Sequence, residues 1–171
     1  MPLSLYEITV PVFIRGLRNL SHNLKKGEAF ADEKGIPHEE LTSARLYPDM
    51  LPLTAQIQRA SDSSRFVAVR VGQVEPRPMA DEEKTFAELQ ARITATIDYL
   101  KTVPANCMDG REDAHVSFKA GPRTLEFNGT SYVLGFAIPN FYFHVTTAYD
   151  ILRHKGVPVG KVDFLAGADG S

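Results

Sequence analysis

The stretch Pro139–Leu165, PNFYFHVTTAYDILRHKGVPVGKVDFL, decides the fold. Phe141, Val145, Ala148 and Leu152 recur at helical spacing and draw an apolar stripe. Arg153, His154 and Lys155 then stand where a helix C-terminus favours cations; Gly156 can take the left-handed cap, and Pro158 blocks continuation. Around that stripe Tyr142, His144, Thr146, Thr147 and Tyr149 crowd two turns, more chemistry than packing requires. Such a helix belongs in a bundle, with any site on its inward face.

Three more amphipathic segments precede it. In the first, Leu5, Ile8, Val12, Leu17, Leu20 and Leu24 recur at roughly helical spacing, with a kink or a late start expected at Pro11. Gly27 to Pro37 reads as a turn or short loop, and His38 to Leu46 as a short helix stopped by Tyr47-Pro48. Asp49 is then the natural N-cap of a second long helix with Leu53, Ile57, Ala60, Ser64, Val67 and Val71 on one face. Gly72 to Asp81, holding Pro76 and Pro78, is the longest connector.

Thr85 to Glu88 forms a capping box that opens a third helix with Phe86, Leu89, Ile93, Ile97 and Leu100 on its apolar face. Val116 and Phe118, then Leu125 and Phe127, alternate with polar residues around Gly121-Pro122, which predicts a small hairpin over about 114–127. A lone hairpin is marginal, so it must lie against the helices. The last helix is expected from about Ser131 to Lys155, kinked at Pro139, with a short tail from about residue 157. The reading is mainly all-α: one domain, a four-helix bundle with a β-hairpin inserted before the last, Pro-kinked helix.

Composition bounds the function. The chain has 171 residues, 43% hydrophobic and 23% charged, enough for one sizeable core. Its formal charge of -2, without a Lys/Arg stripe, argues against nucleic acid and anionic membranes as partners. The single cysteine, Cys107, excludes an internal disulfide framework and agrees with a reducing, cytoplasmic compartment. No secretory signal or membrane span is expected, since Pro11, Arg15 and Arg18 interrupt the N-terminal apolar residues. The run Gly156 to Gly160 is VPV between two glycines and lacks the Lys-Ser/Thr ending of a phosphate loop, and no GxSxG elbow occurs.

Four runs, SLYEITVPVFIRGLRNLS, ARLYPDMLPLTAQIQRASD, TFAELQARI and the C-terminal stretch, resemble in content and order an uncharacterised family, domain of unknown function nineteen-ninety-three. That family is grouped with the DinB/YfiT-like four-helix bundles. The resemblance implies the DinB-like bundle and a homodimer, and the Ala/Ser-rich second helix would support close pairing. It also implies, for the wider group, a divalent metal held by three histidines and thiol-transferase or hydrolase activity. This chain departs from that pattern: the positions matching two such histidines are Phe30 and Gly135, and no HxxxH pair occurs.

Among the histidines, His144 alone has a helical phase that points inward. His22 falls with Arg15, Arg18 and Lys25 on a solvated face; His38 and His115 are expected to be exposed, and His154 serves as a C-terminal cation. His144, Tyr149 and Asp49 are therefore the candidate catalytic residues, with Gln56, Tyr142, Arg45 and Phe141 as candidate ligand contacts. Asp49 is expected to pair with Arg45 or Arg59, and Gln56 to find a partner in His144 or Tyr149. No cofactor is expected, apart from a weak divalent-metal site in which His144 joins Asp49 and Gln56.

Three functions follow. The first is a cofactor-independent acid–base enzyme, catalysing an isomerisation, cyclisation or dehydration of a small hydrophobic or aromatic molecule in an aromatic-lined pocket around His144. The second is a DinB-like metal-dependent thiol transferase or hydrolase, and the third a non-catalytic, dimeric ligand-binding module.

Overall fold

The computed structural model describes residues 3–167. Helix α1 (Val10–Lys34) starts late, with Pro11 in its first turn, where a missing N–H costs nothing. Its buried stripe is Val10, Phe13, Leu17, Leu20, Leu24 and Ala31. The loop expected from Gly27 is instead about two further turns of helix, to Lys34. Gly27 does not break α1 because it serves a close approach: a Cβ there would lie 2.9 Å from the Leu152 side chain. The stop is Gly35 at φ 63, whose left-handed conformation lets Ile36 N–H reach the Ala31 carbonyl at 2.9 Å.

Helix α2 is a single turn (His38–Thr42), shorter than expected. Helix α3 (Leu53–Arg70) buries its whole expected face, Leu53, Ile57, Ala60, Ser64 and Val67, with Val71 just beyond its end. Asp49 does not cap it. Pro52 disfavours helix at Leu51, so α3 cannot begin until Leu53, whose N–H is taken by the Ala44 carbonyl at 2.9 Å. Asp49 is left exposed in the preceding turn. Helix α4 (Phe86–Lys101) opens on the expected box, with Thr85 Oγ1 accepting from Glu88 N–H and Glu88 accepting from Thr85 N–H.

Strands β1 (His115–Ala120) and β2 (Arg123–Asn128) pair antiparallel, Val116 opposite Phe127 and Phe118 opposite Leu125, around Gly121 at φ 60. The hairpin is anchored by its aromatic face. Phe118 and Phe127 lie 5.8 and 5.9 Å from the Tyr132 ring, and 5.1 and 5.8 Å from that of Phe136.

The last helix is interrupted, though not by a simple kink at Pro139. A short α5 (Gly129–Tyr132) runs into a π turn over Val133–Ala137, and α6 (Ile138–His154) follows with Pro139 in its first turn. Proline offers no N–H, so the bonding ladder is broken there in any register, and the wider turn absorbs one extra residue. Residues 157–167, expected as a short tail, are packed instead: Val157 and Val159 are buried, and α7 (Lys161–Ala166) docks on α1. The four long helices form a ring in which α3 faces α6 and α4, and α1 closes it against α4 and α6. No helix among the described residues is long and apolar enough to cross a membrane.

One buried constellation has no sequence signature. Arg92, its side chain 1% exposed, contacts Asp62, Asp81 and Glu83, each at 3.0 Å. Asp62 also binds Arg65 and Arg59, and Arg59 reaches Asp81. The connector after α3 is thereby fastened across α3 and α4.

Gly16 tests the α1–α6 contact. Alanine raises helix propensity by about 1 kcal/mol, but its Cβ would sit 2.6 Å from Cε1 of Phe141, a fully buried ring packed 4.6 Å from Phe13. Overpacking should win: Gly16→Ala is expected to cost about 1–3 kcal/mol in a urea titration. An equal or higher stability would show that this ring is free to move.

Candidate functional site

His144 lies on the α3-facing side of α6, 8% exposed. Its Nδ1 is 2.7 Å from Gln56 Oε1, one of the two partners expected for that buried amide. The orientation of the pair follows from one group that cannot change role. The Leu51 carbonyl only accepts, and Gln56 Nε2 donates to it at 3.0 Å. Gln56 Oε1 must then face the imidazole, so Nδ1 carries the proton and Nε2 holds a lone pair. Nε2 has no protein partner among the described residues.

Burial, reinforced by the nearby Arg59 charge, pushes the imidazole down to about 4, so it is neutral at physiological pH. Two exposed apolar groups flank the pair: Phe143, whose ring is edge-on to His144 at 5.2 Å, and Leu51, which holds Gln56. This arrangement can accept a hydrogen bond, or a proton of strong enough acidity. It cannot donate one from Nε2 near neutrality.

The chain matches the model of the family described as "Domain of unknown function (DUF1993)" over residues 5–165. It belongs to that family. A solved structure of a DinB family member protein from Shewanella denitrificans is 36% identical, with a TM-score of 0.86 over 94% of this chain and 91% of that one. No curated protein matches. The DinB-like bundle expected from the sequence is therefore the fold of this DUF1993 member.

The remaining candidates do not gather at His144. Tyr142 is two residues away, and so on the opposite side of α6, half-buried beside Arg15, Phe164 and Leu165. Tyr149 packs edge-on against Phe164 at 5.7 Å, again toward α7. Phe141 is core, wedged between Phe13 and Gly16. Arg45 donates to the Met50 carbonyl, while Arg59 pairs with Asp62 and Asp81, so neither partners Asp49. His144 and Gln56 are brought together, and Tyr149, Asp49, Tyr142, Arg45 and Phe141 are not. The aromatic lining expected around His144 is reduced to Phe143.

His22 is also placed differently. It is half-buried, with Nε2 2.9 Å from Asp163, and Lys26 binds the same carboxylate. No sequence pattern announces this contact, because the segment carrying Asp163 docks from more than a hundred residues away. His38 is half-buried on the Phe86 ring, bonded to Asp32 at 2.8 Å, whereas His115 is exposed as expected.

The donors do not fit the three-histidine metal site of the wider group. Among the described residues no cluster of three His, Cys, Asp or Glu could hold an ion. At His144 the amide oxygen is already engaged, Asp49 is elsewhere and Arg59 places a positive charge nearby.

A depressed histidine pKa has a definite consequence for stability. Unfolded, His144 binds a proton below about pH 6.5 that the folded chain refuses until about 4, so its contribution is lost as pH falls through that window. Between pH 7 and pH 4 the native chain should lose roughly 3 kcal/mol more than His144→Asn, compared by denaturant titration. Equal losses would show that the imidazole titrates alike in both states.

Proposed function

We propose that this DUF1993 member binds a small, largely apolar molecule bearing an O–H or N–H donor, with His144 Nε2 as the acceptor. The observation that supports the reading is the relay from the Leu51 carbonyl through Gln56 to Nδ1, which leaves an oriented lone pair with no protein partner among the described residues. Leu51 and Phe143, 45% and 57% exposed, provide apolar surface next to it. A neutral acceptor on an apolar rim selects a hydrophobic donor such as a phenol or enol.

The same geometry separates binding from catalysis. An acid–base isomerisation, cyclisation or dehydration needs the imidazole to take up a proton, and Arg59 opposes that charge. Binding is the reading that this electrostatic environment favours. General-base catalysis stands second, for a substrate whose own anion would offset Arg59. The metal-dependent thiol transferase or hydrolase finds no cluster of three His, Cys, Asp or Glu donors among the described residues.

Phenol and anisole, which differ in the donor alone, make the test. In histidine-labelled protein, the Nε2 resonance of His144 should show the unprotonated tautomer from pH 5 to 8. It should move on saturation with phenol, and anisole should bind about tenfold more weakly. A protonated Nε2, or equal affinity for the two probes, would sink the assignment.

A further inference from the structure

A concavity of about 160 Å³ opens between α3, strand β1 and the π turn. It shares neither His144 nor Gln56, and its chemistry is of the opposite sign. Arg70 sits over aromatic rings on its wall, its guanidinium carbon 3.7 Å from the centre of Phe118 and 4.5 Å from that of Phe66. Rings attract the flat faces of a guanidinium, while its N–H groups radiate in the plane. Stacking therefore fixes the fork without consuming its donors. Among the described residues only one acceptor is seen for Arg70, the Tyr132 hydroxyl at 3.0 Å from Nη1, and no carboxylate pairs with it.

Tyr132 sharpens the argument. Arg70 can only donate, so the phenol oxygen accepts, and the phenol hydrogen is left with no acceptor among the described residues although Tyr132 is 1% exposed. Lys119, also on the lining, adds a second cation without a carboxylate partner among the described residues. The one carboxylate of the lining, Asp62, is already engaged by Arg59, Arg65 and Arg92. The site thus offers an oriented fork, a buried O–H donor and an excess of positive charge.

The walls are aromatic: Phe66, Phe118 and Phe136 line the same space. Its volume is close to the roughly 150 Å³ of an engineered apolar cavity that takes up benzene, so one ring fills it. A π turn forms one edge, a deviation that recurs at functional sites.

We propose that this concavity is a binding site for a small aromatic carboxylate of about one ring, its carboxylate held by the Arg70 fork, the Tyr132 hydroxyl and Lys119. A carboxylate matches the planar fork in two parallel bonds, which a point charge on lysine would not provide. The proposal does not depend on the reading of His144.

Benzoate is the probe, titrated by amide-resolved NMR against benzamide, which keeps the ring without the charge, and inorganic phosphate, which keeps the charge without the ring. Benzoate should saturate with a Kd of about 1 mM or tighter and shift the amides of Arg70, Phe118 and Tyr132. Benzamide and phosphate should each bind at least tenfold more weakly. Arg70→Lys should lose tenfold or more, and Lys119→Ala, at an exposed position, should lose about threefold with the fold intact. Absence of saturable benzoate binding overturns the proposal, as does benzamide matching benzoate. Phosphate matching benzoate would reduce the site to a cationic surface, and an unaltered Kd in Lys119→Ala would remove that residue's role.

Discussion

Arg92 is buried to 1% of its side-chain surface, and a guanidinium in that position must be met by carboxylates or the fold does not form around it. Asp62 comes from α3, whereas Asp81 and Glu83 come from the connector. Satisfying Arg92 therefore fixes three things together: the spacing of α3 and α4, the path of the chain that joins them, and the point where α4 can start. Thr85 and Glu88 cap α4 two residues after Glu83, so the capping box and the buried ion cluster reinforce one register. The cluster holds three arginines, 59, 65 and 92, against the three acids 62, 81 and 83.

The cluster reaches the His144 site through Arg59. That side chain belongs to the ion network at one end and adds its charge to the surroundings of His144 at the other. The imidazole is kept neutral by burial first and by Arg59 second. A proton on Nε2 would meet both costs, whereas a hydrogen bond accepted there meets neither. The ion network that organises the fold thus also helps, from about one helical turn away on α3, to keep the imidazole neutral.

Where local sequence determines local structure, the sequence was legible. The face of α3, the box at Thr85, the hairpin over about 114–127 and the inward phase of His144 were all readable from local patterns. Gln56 and His144 could be paired in advance because a buried amide needs a partner and the two helices had to touch. Gly27 misled because glycine reads as a breaker, while its use here is to admit Leu152, a contact made across the bundle. Asp49 misled because Pro52 overrides a capping side chain. Tyr142 and Tyr149 were crowded with His144 in sequence, yet helical phase turns them toward α7. The ion cluster and the Arg70 site join residues from elements far apart in the chain, and no periodicity encodes such encounters.

The π turn explains how Tyr132 and His144 come to face the same helix. Tyr132 and His144 are twelve residues apart, which in an uninterrupted α-helix places them about 120° apart around the axis. Absorbing one extra residue removes about 100° of that rotation, and Tyr132 swings to within about 20° of His144. The contacts agree: His144 meets Gln56, Asn140 meets Ser63 and Tyr132 meets Arg70, three polar encounters strung along the same face of α3. Without the wide turn, Tyr132 would point away from Arg70, and the hairpin aromatics that pack on Tyr132 would lose their anchor. Pro139 makes that turn inexpensive, because the bonding it disrupts is already missing an N–H. A helix defect just before α6 is what aligns the Tyr132–Arg70 and His144–Gln56 pairs along one face of α3.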